Sequence, residues 1–224
     1  MNRFVVAAVV ASSLLIAPPA HARSLLADTA ISTPVLDMID VVVRRREVIA
    51  IDPARSGGTR RAALHVGEKV LWSGARGRVA LVVTDRRLLG ITTGNRGWQE
   101  LRFKVHESEP RAIAMGDRVL VVLTSLRAIG LSAVGGGSTE SLIGTTESPR
   151  EVVAGDNVAA VITDRRLVGL SGFFPGFAET LIGVHEDVEF ASTLPNFVSI
   201  GTESRMLVFR GTTGAWSAER VSLR

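Results

Sequence analysis

Residues 79–92 read VALVVTDRRLLGIT, residues 119–132 read VLVVLTSLRAIGLS, and residues 158–171 read VAAVITDRRLVGLS. Aligned on the threonine, Thr84, Thr124 and Thr163 stand 40 and 39 residues apart. A further step of 39 reaches Thr202 in FVSIGTESRMLVF, and a step of 40 backwards reaches Arg44 in IDVVVRRREVIAI. Five units therefore run from Arg44 to Thr202 at a mean step of 39.5 residues. Self-similarity at a fixed period of this size marks a fold that stacks one supersecondary unit.

Each unit reads as β-structure. The stretch before the threonine is apolar on consecutive residues (Val119-Leu120-Val121-Val122-Leu123), which predicts a strand buried on both faces, because a half-solvated strand would alternate. A short polar turn leads to a second apolar strand, such as Leu167-Val168-Gly169-Leu170 or Met206-Leu207-Val208-Phe209. A Gly-rich turn follows, then a third strand beginning near Trp98, Thr139, Phe177 or Trp216. A crossover reaches a further strand such as residues 150–154, which closes through Gly155-Asp156-Asn157 onto the next unit. Gly116-Asp117 marks the same hairpin one unit earlier.

Four short antiparallel strands in about 40 residues are the sequence signature of a propeller blade. The order of a Gly-Asp hairpin, a buried strand, a Thr-Asp turn and a Gly-rich turn resembles the blades of quinoprotein-like and WD40-like β-propellers. Neither the G-H…W-D pair of WD40 blades nor the stacked tryptophans of quinoprotein blades is present, so the resemblance implies a fold and no function. The expected architecture is all-β, a five-bladed β-propeller of four-stranded antiparallel blades. Residues 67–90 also resemble part of a bacterial pleckstrin-homology-like domain. That fold ends in a helix, which nothing after Gly90 offers, and it has no place for a five-fold repeat. Residues 24–29 (SLLADT) match the end of the third strand, whose start recurs at residues 216–223, so the two chain ends are expected to meet at one seam between blades.

Residues 1–22 carry Arg3, an apolar run over residues 4–16 and the small-x-small site Ala20-His21-Ala22, the parts of a secretory signal peptide. The run is too short to span a membrane, and no later stretch reaches that length. The expected organisation is a signal peptide over 1–22 and one propeller domain over 23–224, periplasmic or secreted after cleavage near Ala22. The chain has 224 residues, 46% apolar and 21% charged, with no Cys and no Tyr. This composition excludes a disordered chain, disulfides and thiolate chemistry, and 5% aromatics argues against an outer-membrane barrel with aromatic girdles. The pI near 10.8 is not a nucleic-acid signal. The net charge is only +4, and little titrates between neutrality and the arginine range when Tyr and Cys are absent.

Two recurring charged positions stand out. Three residues after the threonine stand Arg87, Arg127, Arg166 and Arg205, with Glu47 in the first unit. Sixteen residues before it stand Asp28, Glu68, Glu147 and Glu186, and in the remaining unit Ser108 is flanked by Glu107 and Glu109. In propellers both positions fall in loops of one face, so a ring of arginines and a ring of acids would share a rim. Such pairs either lock neighbouring blades in register or form a collar for a polar or anionic ligand. Asp85 and Asp164 are expected to cap tight turns through their own backbone. Trp98, Phe177 and Trp216 are expected to cap the blade core rather than stack sugars.

No metal, cofactor or catalytic residue is assigned. His65, His106 and His185 recur once per unit, and equivalent positions on separate blades are spread around a ring, whereas a metal site needs three or four converging groups. No G-x-S-x-G elbow, H-E-x-x-H pair or phosphate loop occurs. The expected function is a non-enzymatic binding platform for a protein or glycan at the cell envelope, with no nucleic acid and no membrane span in the mature chain. The alternative is a small glycan-active hydrolase with carboxylates lining the axial channel, for which Asp37, Glu151 and Glu189 are the candidates. A lectin with one sugar site per blade predicts repeated pockets, against which the mismatch at Thr139 speaks.

Overall fold

The computed structural model describes residues 39–53, 58–134, 137–183 and 186–220. Among them are nineteen strands and no helix, gathered into five antiparallel sheets. The first sheet holds β1 (Asp40–Val43), β2 (Glu47–Ile51) and β3 (Thr59–Ala63). The second holds β4 (Val70–Arg76), β5 (Val79–Thr84), β6 (Arg87–Thr92) and β7 (Gln99–Arg102), and the third holds β8 (Ala112–Met115), β9 (Val119–Leu123), β10 (Arg127–Ser132) and β11 (Ser138–Leu142). The fourth comprises β12 (Pro149–Ala154), β13 (Val158–Thr163), β14 (Arg166–Ser171) and β15 (Phe177–Leu181). The fifth comprises β16 (Val188–Leu194), β17 (Phe197–Thr202), β18 (Arg205–Arg210) and β19 (Ala215–Arg220). This is an all-β, five-bladed β-propeller. Counting strands in chain order within each sheet, so that β5 is the second and β6 the third, β1 corresponds by register to β5, and the described residues of the first blade form its second to fourth strands. Residues 24–29, expected at the closing seam, and Asp28 and Asp37 lie outside the described residues.

The consecutive apolar runs are the middle strands, and every residue of β5, β9 and β13 is buried. Their two faces pack on different neighbours: Val79, Leu81 and Val83 join Leu120, Val122, Ile129 and Leu131 of the next blade, while Val119, Val121 and Leu123 join Ala159, Val161, Val168 and Leu170. Among the described residues, apolar clusters fill the seams between blades 1 and 2, 2 and 3, 3 and 4, and 4 and 5. A repeated fit sets the seam spacing. A Cβ on Gly90 would come within 2.5 Å of Leu131, one on Gly130 within 2.8 Å of Leu170, and one on Gly169 within 2.7 Å of Phe209. The glycine of one third strand thus receives the large side chain of the next blade's third strand.

Two devices fix the blade ends. At the hairpins from first to second strand, backbone bonds cross the seams: Arg78 N–H to Asp117 O (2.6 Å), Arg118 N–H to Asp156 O (2.8 Å) and Asn157 N–H to Pro195 O (2.8 Å). The approach is close enough that a Cβ on Gly116 would overlap the Gly155 carbonyl, which only glycine avoids. At the other end each threonine closes its turn. Thr84 Oγ1 accepts from the Arg86 and Arg87 N–H groups at 3.2 and 3.0 Å and donates to Arg87 O, and Thr163 repeats this with Arg165 and Arg166. The expected self-capping by Asp85 and Asp164 is therefore corrected. The threonine already occupies the turn donors, and the aspartates accept from the crossover instead, from Lys69 N–H at 3.0 Å and Ser148 N–H at 2.8 Å.

Candidate functional site

The four arginines that open third strands are each brought to a crossover carboxylate. The Arg87 fork donates Nε to Glu68 Oε1 (2.8 Å) and Nη2 to Glu68 Oε2 (2.9 Å), while Nη1 reaches Glu100 of β7 (2.7 Å) and Nη2 the Ala63 carbonyl (2.7 Å). Ala63 ends the outer strand of blade 1, Glu68 lies in the crossover, and Glu100 lies on the outer strand of blade 2. One guanidinium thus ties two blades and their connection together. Arg127 repeats the pattern with Glu107 (2.8 and 2.9 Å), Glu140 (2.7 Å) and the Arg102 carbonyl (2.8 Å). Arg166 does so with Glu147, Glu179 and the Leu142 carbonyl. Arg205 holds Glu186 and the Leu181 carbonyl, but Ala218 stands where the other blades carry the second acid. Glu107, rather than the aligned Ser108, is the acid of the third unit, because that crossover is one residue longer.

The acids are held from both sides. Glu68 also accepts from the His65 N–H, Glu107 from Lys104, Glu147 from Gly144 and Glu186 from Gly183, so each carboxylate closes the crossover turn that carries it. Burial works to raise the Glu68 pKa, and hydrogen bonds from Arg87, His65 N–H and Thr84 outweigh it, holding the carboxyl down at about 2. Glu107 and Glu147 are lowered against the same burial, and Glu186 is lowered chiefly by its bond from Arg205. The side chains of Glu68 and Glu107 are fully buried, and those of Arg87 and Arg127 are 5% and 4% exposed. These recurring charges form interblade clasps. The second acids Glu100, Glu140 and Glu179 escaped the sequence reading, although their common offset of 13 residues after the arginine was available as a signal.

Blade 1 reverses the signs. The register that pairs Leu89 with Glu100 pairs Ile49 with Arg61, and Glu47 occupies the arginine position. Glu47 accordingly meets Arg61 at 3.4 Å and Arg44 at 3.7 Å. At the opposite end of the propeller, Arg76 at the close of β4 reaches Asp117 of the next blade (3.1 Å) and Asp156 two blades on (3.0 Å). A single side chain spanning three blades places these first strands toward the axis. Of the hydrolase candidates, Glu151 and Glu189 are exposed on β12 and β16, at positions one residue out of register: Glu189 lies inside a bulge and Glu151 follows one.

The recurring aromatics serve the seams. Trp98 donates Nε1–H to Arg60 O on the preceding blade (3.0 Å), and Trp216 does the same to Ala178 O (2.9 Å). Trp98, Phe177 and Trp216 all pack on buried seam clusters. His65 and His106 are exposed in their crossovers, and His185 lies outside the described residues.

No protein-family model matches the chain, and no curated protein matches it. Among solved structures it is similar to Prp20p from Saccharomyces cerevisiae, at 9% identity and a TM-score of 0.38 over 76% of this chain and 56% of that one. It is also similar to apo AztD from Citrobacter koseri (15% identity, TM-score 0.36, 82% and 60% covered) and to BamB from Moraxella catarrhalis (13%, 0.34, 82% and 61%). The chain spans less than two thirds of the length of each. All three are β-propeller proteins, and likeness at this identity concerns the fold alone. The β-propeller fold itself rests on the repeated antiparallel sheets, and no specific family is indicated.

Proposed function

We propose that the protein is an exported, non-enzymatic β-propeller that serves as a binding platform for a protein or glycan at the cell envelope. Export is supported by Arg3, the apolar run over residues 4–16 and Ala20-His21-Ala22. The observation that carries the platform reading is the state of the recurring acids. Glu68, Glu107, Glu147 and Glu186 each accept from an arginine, and a carboxyl held well below its ordinary pKa is a poor proton donor at neutral pH. Asp117 and Asp156, drawn together from two blades, share the Arg76 guanidinium. The charged repeat therefore stiffens a scaffold, while the loops between third and fourth strands differ in every blade (TGNRG, GFFPG and GTTG among them), as recognition surfaces do.

The experiment is expression of the full chain with a C-terminal tag, followed by fractionation, N-terminal sequencing and affinity capture from the envelope fraction. The expected result is a protein beginning at Arg23 that retains an envelope protein or glycan. A cytosolic product with residues 1–22 intact would refute the export reading. Turnover of envelope glycan by the purified protein, abolished in Glu151→Gln or Glu189→Gln, would replace the platform with the hydrolase.

A further inference from the structure

The turn joining β1 to β2 departs from its counterparts in the other blades. Where they carry Asp85-Arg86, Ser125-Leu126, Asp164-Arg165 and Glu203-Ser204, the first blade carries Arg44-Arg45-Arg46. These three arginines, with Glu47, Arg61 and Ala63, line an open cleft of about 600 Å³. Arg44 and Arg61 have side chains 63% and 64% exposed, and Arg45 and Arg46 are exposed as well. Glu47 is the one carboxylate in the cleft lining and already divides itself between Arg44 and Arg61 at 3.7 and 3.4 Å. Four guanidinium groups against one carboxylate leave a local excess of three positive charges. Among the described residues no partner satisfies the Arg45 and Arg46 side chains.

From this we infer that the cleft is a docking site for an acidic peptide segment, rich in Asp or Glu, of a partner protein. The molecule itself indicates which anion suits such a rim. At this level of blades 2, 3 and 4, a guanidinium is met twice by the paired oxygens of a crossover glutamate and again by an outer-strand glutamate, and in blade 5 by the crossover glutamate. In blade 1 the signs are exchanged: the exposed arginines lie on the turn and the outer strand, and Arg44 and Arg61 share the single carboxylate of Glu47. Carboxylates supplied from outside complete the arrangement that the chain makes internally elsewhere. The open form of the cleft suits a chain laid across it rather than a small molecule enclosed by it. The inference rests on the platform reading and narrows it to a protein partner of stated charge.

The test uses the mature chain, residues 23–224, and fluorescein-labelled hexaglutamate followed by anisotropy at low and at physiological salt. Saturable binding should weaken by about tenfold or more in Arg45→Glu/Arg46→Glu, as loss of charge-assisted contacts implies. A control of equal charge change, Arg111→Glu/Arg165→Glu, outside the cleft and the variable loops, should lose no more than about twofold, the share left to long-range steering. Both pairs are exposed, so melting curves should match wild type. Absence of saturable binding overturns the inference, as does an equal loss in both variants, which would mean attraction by net charge alone. Tighter binding of phosphatidylglycerol vesicles or pyrophosphate than of hexaglutamate overturns it too, since the cleft would then select phosphate. If an envelope partner is captured and its binding survives Arg45→Glu/Arg46→Glu, the inference falls and the platform reading stands.

Discussion

Arg127→Ala removes the guanidinium that joins blade 2, its crossover and blade 3, and leaves Glu107 fully buried without its charge partner. Breaking a buried pair from one side costs about 3–5 kcal/mol, because the remaining charge keeps its desolvation penalty. At about 2–4 °C per kcal/mol for a domain of this size, the melting temperature should fall by about 6–20 °C. The repeat supplies an internal scale: the arginine side chain is 4% exposed at Arg127, 17% at Arg166 and 28% at Arg205. Arg205 also lacks a second carboxylate, so Arg205→Ala should cost only about 1–2 kcal/mol, between a surface pair and a buried one. Arg166→Ala should fall between them. Calorimetry on the three variants reads the order directly, and a double-mutant cycle with Glu107→Ala isolates the pair from the Lys104 and Thr124 contacts of the same carboxylate. Equal losses at all three positions, or an Arg127→Ala melting curve that overlays wild type, would refute the clasp argument.

Acid should loosen the same clasps. Glu68 titrates at about 2 against an ordinary value of 4.5, so its contribution is complete above pH 4.5 and lost as pH falls toward 2. That shift corresponds to about 3 kcal/mol, and urea midpoints for wild type and Glu68→Gln should converge over this window. Curves that stay parallel down to pH 2 would count against it. Gly130→Val should destabilise by about 1–3 kcal/mol through overpacking. Its Cβ would lie 2.8 Å from both Leu170 and Phe177, whereas Gly97→Ala, with nothing within 4 Å, should be close to neutral by denaturant titration. Trp216→Phe keeps an aromatic side chain but loses the indole N–H bond to the Ala178 carbonyl and part of the ring volume, and a loss of about 1–2 kcal/mol in chemical unfolding is expected. A loss of Trp216→Ala size would show that packing, not the bond, was disturbed.

The blade count and strand order were legible because each seam needs the same chemistry. A middle strand pressed between two neighbours must be apolar on both faces, so residues such as Val119 to Leu123 show no alternation and announce themselves. The Arg and Glu positions were legible for the same reason, being one contact repeated. What the period hides is direction and partner. Asp85 and Asp164 sit where a turn could cap itself, and only the structure shows Thr84 and Thr163 holding the turn donors first. Glu100 and its equivalents lie on half-exposed outer strands, where a charged residue is also what solvent alone would select. Arg76 is invisible to the repeat, because its two acids come from different blades and no other unit has its like.

The departures from the period are as informative as the period. Within blades 1 and 5, Glu47 stands for arginine, Val208 for the receiving glycine and Ala218 for the second acid, and Ile51, at the position of Leu131, is 40% exposed. Among the described seams the clasp arginine recurs four times, the receiving glycine three times and the second acid three times. At the first blade's rim the departure is most concentrated in Arg44-Arg45-Arg46, three cations placed together on one turn with Glu47 to answer them. Self-repulsion makes such a turn costly in isolation. A negatively charged partner would offset that cost, whereas the arginines of the clasps already hold carboxylates of their own chain, so an acidic peptide is proposed to dock on the rim of blade 1 and not on the clasps.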